Sequence, residues 1–289
     1  MGVSTNAIEV AGLVKNYAEV HAVDGIDMHV ATGELVALLG PNGAGKTTTV
    51  EILEGYRHAT AGTVRVLGED PQTASRHWRA RIGIVLQEAA DSGDLAVGEV
   101  VRHFAQYYAN PRDPGEVIEA VGLTAKAKAR VNTLSGGQRR RLDVAVGIVG
   151  RPDLLFLDEP TTGFDPEARR DFWELIHTLH DEGTSILLTT HYLEEAERLA
   201  DRLVVIAGGR IVAEGTPESI GGRQRAEATV SWREAGVLRE QSTPTPTQFV
   251  HDLAARLDVT EVDGLSVHRP TLEDIYLKLV DGGASDGNN

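Results

Sequence analysis

The sequence predicts an α/β protein with a parallel central sheet, an antiparallel β subdomain, an inserted helical subdomain and a small C-terminal α+β appendage. Three observations carry this expectation. The apolar run Leu35 to Leu39, "LVALL", leads through a glycine-rich loop into a helix-like stretch from Lys46 to Leu53. Short apolar runs at Leu154 to Leu157 and Ile186 to Thr189 flank an amphipathic helix around Ala168 to His180, the alternation expected of a parallel sheet. From Ala89 to Val149 the spacing becomes helical, with no convincing strand.

In chain order, Val10 to Val30 alternates loosely between apolar and polar residues and reads as two antiparallel strands, with "ATGE" turning into Leu35 to Leu39. The helix after the glycine loop closes at Gly55, and "GTVRVLGED" and "RIGIVLQ", Arg81 to Gln87, read as strands. "VRHFAQYYA" and "GEVIEAVGL" are the candidate helices of the insertion. "LVVIAGGRIVAEG" reads as a hairpin turning at Gly208 and Gly209. Beyond Gly215, "GGRQR" reads as a linker, "ATVSW" alternates, "STPTPT" is a break and Gln248 to Leu257 is helix-like. In "RPTLEDIYLKLV", Thr271 and Asp274 have the spacing of a capping box. The tail "DGGASDGNN" is expected to be disordered.

Composition narrows the function. Lys and Arg total 28 against 43 Asp and Glu, a net charge of −15, which disfavours non-specific binding to a nucleic-acid backbone. The absence of cysteine excludes disulfides and thiolate metal sites. "MGVSTNAIEV" lacks the pattern of an export signal. The apolar runs fall short of the roughly 20 residues that a membrane-crossing helix needs, so the chain is not expected to span a bilayer by itself.

"GPNGAGKTT", comprising Gly40, Pro41, Asn42, Gly43, Ala44, Gly45, Lys46, Thr47 and Thr48, fits the phosphate-loop pattern in its required strand-to-helix context. Backbone N–H groups converge on phosphate oxygens at the helix start, Lys46 reaches the β and γ phosphates, and the Thr47 hydroxyl is placed for Mg²⁺. An ordinary glycine turn capping a helix is the plainer alternative. "DLLFLDEP" delivers two adjacent carboxylates to a strand end, where open α/β sheets bind ligands. Asp158 suits Mg²⁺ through water, and Glu159 suits the attacking water as general base, a role worth roughly 10²- to 10⁴-fold. Taken alone, that pair reads better as a loop start; beside a phosphate loop the preference reverses.

"LSGGQRRRLD", Leu134 to Asp143, is a second glycine-bearing loop. Ser135 reads as an N-cap for a helix with Leu142, Ala145, Val146 and Val149 on its apolar face. Arg139, Arg140 and Arg141 oppose the macrodipole near that helix's start, by roughly 0.3 to 1 kcal/mol each at exposed sites. Exposed N–H groups, a serine hydroxyl and positive charge describe an anion site, yet no Lys-Thr pair follows, so the loop reads as half a site.

The order "GPNGAGKTT", Gln87, "LSGGQ", "LLFLDEP", "TTGFDP" and His191 resembles the ATP-binding cassette (ABC) ATPases over roughly residues 8 to 215. The resemblance implies a P-loop NTPase core of RecA-like type over residues 1–220, with the helical insertion at about 89–150. An accessory region at 221–280 and a disordered tail at 281–289 complete the expected division. It implies ATP and Mg²⁺, with two chains packed head to tail and each ATP held between one phosphate loop and the other chain's LSGGQ. Ser135, Gly136, Gly137 and Gln138 then match the residues that contact the γ-phosphate across the dimer. With a second chain implied by the resemblance, Arg139, Arg140 and Arg141 are expected to give electrostatic support to a neighbour's phosphate. Gln87 matches the lid glutamine that senses Mg²⁺ and water, and Tyr17 matches the aromatic that stacks on adenine. Asp165 matches the aspartate crossing the dimer interface, and His191 matches the γ-phosphate switch. Phe164 departs from the leucine of many members but keeps its apolar character.

"SGGQRRRLDVA", "TTGFDPEARR" and "PTLEDIYLKL" are similar to the ATPases of ABC-2-type exporters, especially the bacterial drug-resistance and antibiotic-export group. This implies a separate multi-spanning membrane permease as partner and a peripheral place on the cytoplasmic side of the cell membrane. It also implies export of a drug, antibiotic or other hydrophobic compound. An ABC ATPase acting on ribosomes or DNA would share the ATP chemistry. Translation-factor types usually carry two cassettes in one chain, however, and repair types add coiled coils or zinc cysteines. A metabolic kinase would leave LSGGQ, Gln87 and His191 unexplained.

Overall fold

The computed structural model describes residues 5–85 and 93–285. The chain begins with strands β1 (Asn6–Tyr17), β2 (Val20–Ala31) and β3 (Leu35–Leu39), helix α1 (Lys46–Leu53) and strand β4 (Ala61–Val66). Helix α2 (Arg76–Arg79) and strand β5 (Ile82–Val85) follow, then helices α3 (Val97–Ala105), α4 (Pro114–Ala120) and α5 (Gly136–Ile148). Strand β6 (Leu154–Asp158), helix α6 (Pro166–Asp181), strand β7 (Ser185–Thr189), helix α7 (Leu193–Leu199) and strands β8 (Arg202–Ala207) and β9 (Arg210–Gly215) come next. The C-terminal part contains β10 (Ala228–Glu234), β11 (Val237–Thr243), α8 (Pro246–Leu257), β12 (Ser266–His268) and α9 (Leu272–Ser285).

The main sheet has the order β5-β6-β7-β3-β8-β9; its first five strands run parallel, and β9 turns back antiparallel to β8. A separate antiparallel sheet, β2-β1-β4, covers one side, in keeping with the alternation in Val10 to Val30. All five residues of β3 are buried because both faces of the sheet are covered, which explains the unbroken apolar run. Successive side chains of a strand point to opposite faces, so β3 divides the interior in two. Leu35, Ala37 and Leu39 join Ala145, Phe172 and Leu199 on the side of α5, α6 and α7. Val36 and Leu38 join Ile8, Val30, Val50 and Trp78 on the side of the antiparallel sheet and α1.

The helical insertion is present as α3, α4 and α5, with Val101, Val117 and Leu142 in the first of these two cores. Capping chemistry sets its local boundaries. The Asp113 carboxylate accepts from the N–H groups of Gly115 and Glu116 at the start of α4, with Pro114 in the first turn.

The C-terminal part divides differently from the sequence expectation. Strands β11-β10-β12 form an antiparallel sheet whose Val230 and Trp232 pack with Leu253 of α8 in a small core of their own. Helix α9 instead returns to the main unit, where Leu272 is 2% exposed within the first core and Tyr276, Leu279 and Val280 pack against it. The expected linker "GGRQR" falls within Ile220–Arg225, where 3₁₀ turns are broken by a kink at Gly221, φ +57, and Gly222, φ +78. A Cβ at Gly221 would lie 2.5 Å from the Ile275 side chain, so the approach of α9 favours glycine there. The boundary expected at 281 falls inside α9, whose helical backbone continues through Ser285; packing at Leu279 and Val280 anchors the preceding turn. Among the described residues no helix is long and apolar enough to cross a membrane.

Candidate active site

Neighbouring strands β6, β7 and β3 end at the same edge of the main sheet and deliver the site residues. After β3, the loop from Gly40 enters α1 through Gly45, whose φ of +103 places the N-cap in the left-handed region. A Cβ there would lie 2.3 Å from the Ala22 carbonyl oxygen, so a side chain is excluded. No side chain caps α1 and no acidic residue occupies its first turn, leaving the positive end of the helix open to an anion. Lys46 Nζ donates to the carbonyl oxygens of Gly40, at 2.7 Å, and Pro41, at 3.1 Å. Burial holds the Lys46 ammonium below its ordinary pKa despite the opposing pull of Glu159 and Asp158.

Asn42, Gly43, Gly45, Lys46, Thr47, Thr48, Glu159 and His191 line one cleft of about 710 Å³. Ala44 is buried, and Asp158 is the buried last residue of β6, accepting a hydrogen bond from the Thr189 hydroxyl. Glu159 takes the left-handed conformation at φ +46, uncommon for a residue with a side chain. Its N–H donates to both the carbonyl and the hydroxyl oxygen of Thr189, at 3.0 and 3.1 Å. Its Oε2 lies 3.2 Å from His191 Nδ1, so the two expected catalytic residues are brought together.

The surroundings contain residues that motif reading missed. Tyr192 stacks on His191 with ring centroids 4.0 Å apart, and the Arg169 guanidinium sits 4.4 Å from the Tyr192 ring centre. Glu195 is fully buried and accepts from the Trp173 indole at 3.2 Å. Burial pushes the Glu195 pKa up, against the lowering pull of the Thr190 and Thr161 hydroxyls. Glu54, just after α1, is pushed up to about 8 by burial, reinforced by Asp158 and Glu51. A lone polar residue inside an apolar helical stripe is the sequence signal such groups leave, and it names no role.

The second glycine loop lines a different cleft, together with Gly122, Phe164 and Asp165. Ser135, Gly136, Gly137 and Gln138 all line it, and none of its lining residues is shared with the Lys46 cleft. Ser135 Oγ accepts from Gln138 N–H at 3.3 Å while Gln138 Oε1 accepts from Ser135 N–H at 3.2 Å, a reciprocal cap. The Asp165 carboxylate caps α6 by accepting from Ala168 N–H at 2.8 Å. Tyr17 closes β1, 39% exposed and outside the lining of the Lys46 cleft; Lys15 Nζ lies 5.0 Å from its ring centre. Gln87 lies outside the described residues.

Of the arginine triplet, Arg140 departs from the expected role. Arg140 is buried and turned toward the end of β6, and Arg141 pairs with Asp171 at 3.1 Å. Arg139 donates to the Val131 carbonyl at 3.3 Å. Packing of α5 inside the chain takes Arg140 away from the Ser135 loop, whereas Arg141 lines the cleft of that loop.

Thr47 and the buried Asp158 offer hard oxygen donors, the chemistry Mg²⁺ takes, and the open helix start suits phosphates that would complete its coordination. These donors fit a metal held jointly with a nucleotide.

Residues 23–162 match the family model described as ABC transporter. The Nod factor export ATP-binding protein I of Burkholderia pseudomallei (strain 1710b) is 39% identical, with 96% of this chain and 97% of the relative aligned. The daunorubicin/doxorubicin resistance ATP-binding protein DrrA of Streptomyces peucetius is also 39% identical, over 98% of this chain and 94% of its own. The fold is similar to that of a solved ATP-binding subunit of an ABC transporter at TM-score 0.71 and 23% identity, covering 94% of this chain and 99% of that one. It is similar to a dimeric bacterial ABC transporter cassette at TM-score 0.66 and 23% identity, covering 72% and 98%.

Proposed function

The chain belongs to the ABC transporter family, as an ATP-hydrolysing subunit coupled to transport, and on that premise we propose that two copies pair head to tail around two ATP molecules. The observation that carries this reading is the separation of the two glycine loops into clefts with no common residue. Each loop offers part of an anion site. Pairing two chains brings the Ser135 loop of one over the Lys46 loop of the other.

In each composite site Gly40 to Thr48 bind the phosphates, with Lys46 at the β and γ positions. Ser135, Gly136, Gly137 and Gln138 of the second chain close over the γ-phosphate. Thr47, Asp158 and Gln87 would hold Mg²⁺, which would neutralise charge on the β and γ phosphates. Glu159 accepts the proton of the attacking water, and His191, 3.2 Å away, orients that carboxylate and senses the γ-phosphate. Tyr17 contacts adenine, and Asp165 crosses the interface. Hydrolysis separates the pair, and the helical insertion together with Gln87 passes the motion to a multi-spanning ABC-2-type permease.

The relatives named for Nod factor export and for daunorubicin/doxorubicin resistance support an exporter of a drug, antibiotic or other hydrophobic compound. The protein then sits peripherally on the cytoplasmic side of the cell membrane. Mixing a Lys46→Ala chain with a Ser135→Arg chain tests the pairing, since only their heterodimer contains one site with both halves intact. ATP turnover is expected from the mixture and from neither chain alone; an inactive mixture at every ratio overturns the arrangement. Co-purification with a multi-spanning membrane subunit is expected, and recovery only with ribosomes or DNA overturns the transport reading.

A further inference from the structure

Arg140 stands in the helix that begins at the Ser135 loop, yet its side chain turns inward, 7% exposed. Its Nε donates to the Pro160 carbonyl oxygen at 3.1 Å, and its Nη2 donates to the Asp158 carbonyl oxygen. Asp158 and Pro160 flank Glu159, so one planar guanidinium grips the chain on both sides of that residue. Between the two grips the backbone takes the left-handed conformation at φ +46. Such a conformation is unfavourable for a residue with a side chain and persists only where its surroundings over-determine it. Thr189 holds the Glu159 N–H from the β7 side, and Arg140 supplies the hold from the α5 side.

With Glu159 as general base, on which the following rests, we infer that Arg140 is a positioning residue. It fixes the Asp158–Glu159–Pro160 turn so that the Glu159 carboxylate faces the Lys46 cleft, and thereby ties the Ser135 helix to hydrolysis in its own chain. In the proposed pair, the Ser135 loop of a chain closes its neighbour's ATP while Arg140, on the same helix, sets the base that acts on its own. The helix carrying the closing loop is then also a brace for the base of the other composite site. Movement of α5 when one site closes bears directly on Glu159 in the second.

The double grip requires a fork. Arginine donates from several nitrogens in a fixed plane, whereas lysine keeps the charge but gathers its donors on one nitrogen at the end of a flexible stem and lacks the fork that spaces the two grips. Arg140→Lys is therefore expected to lower kcat for ATP at least about tenfold while leaving KM and nucleotide affinity near wild type, because misplacement of a catalytic group lowers rate rather than binding. Melting temperature serves as the folding control. Arg140→Gln, which removes the buried charge and is too short for both carbonyls, is expected to show the same kcat-selective loss, and it decides the matter if the lysine variant does not fold. In a Glu159→Gln background the Arg140→Lys change is expected to have no further effect on residual turnover, since its action passes through Glu159. Unchanged kcat, a parallel loss of nucleotide affinity, or full additivity with Glu159→Gln overturns the assignment.

Mixed pairs then separate the two sites. In the heterodimer of Lys46→Ala and Ser135→Arg chains, Arg140→Lys is expected to suppress turnover when placed in the Ser135→Arg chain, which supplies the working Glu159. The same change in the Lys46→Ala chain, which supplies only the closing loop, is expected to be nearly silent. The reverse pattern overturns the cis role and restores support of the neighbour's phosphate. If the parent mixture itself is inactive, the pairing fails, while the kcat and KM measurements on the unmixed chain still decide whether Arg140 positions Glu159.

Discussion

On α5, next to the arginine triplet, burial pushes the Asp143 carboxyl from an ordinary 3.8 up to about 6, against the lowering pull of Arg140 and Arg139. A carboxyl whose folded pKa is raised contributes stability that is fully present below its unfolded value and is lost as pH rises through the folded value. Asp143→Asn is therefore expected to reduce the loss of stability between pH 4 and pH 7, by an amount on the order of 2 kcal/mol in unfolding free energy. Urea melts of both proteins across that range measure it, and identical pH slopes would show that this carboxyl carries no such linkage. At the same scale, the phosphate loop, Glu159 and the Ser135 loop are legible in the sequence because their chemistry fixes both residue type and spacing. Arg140 is not. Its place becomes visible only with the helical phase known, since Val144 and Ile148, at the following i+4 steps, are both buried with it. Until then a basic triplet at a helix start reads as part of an anion site.

Elements that bury an apolar face are equally readable, and those held by backbone pairing alone are not. Strand β11, "VLREQST", exposes six of its seven residues and is held by pairing with β10, so it offers no alternation to read. Helix α9 is readable as a helix from its Thr271–Asp274 cap, where Thr271 N–H donates to the Asp274 carboxylate at 2.8 Å and Asp274 N–H donates to the Thr271 hydroxyl at 3.2 Å. Its destination is not, because an amphipathic face does not say which core it joins. The two C-terminal helices are expected to respond differently to truncation of one leucine. Leu272→Ala removes a side chain from the main core and is expected to cost about 2–5 kcal/mol in the unfolding transition that also abolishes ATP binding. Leu253→Ala removes one from the small core beside Trp232, and is expected to loosen amide protection in β10 and α8 while leaving ATP binding intact. Equal effects on both measurements would argue that the C-terminal sheet and the main unit unfold as one.

Over the whole molecule, the strand order β5-β6-β7-β3-β8-β9 has a consequence for synthesis. Strand β3, which leads into the phosphate loop, is made early, but its two sheet partners begin only at Ser185 and Arg202. At roughly 5–20 residues per second, the roughly 150 residues separating β3 from β7 take on the order of 10–30 seconds to emerge from a ribosome. During that interval "LVALL" lacks both of its neighbours in the main sheet. Nascent chains ending near residue 180 are expected to be protease-sensitive and to bind holdase chaperones, with protection of Leu35 to Leu39 appearing only once β8 is complete. Protection already present in the shorter chains would show that the antiparallel sheet shelters β3 by itself. The protein's most exacting loop thus spends its first seconds attached to a strand waiting for its neighbours, and the rate of translation through residues 40–207 becomes one of the conditions for obtaining an active molecule.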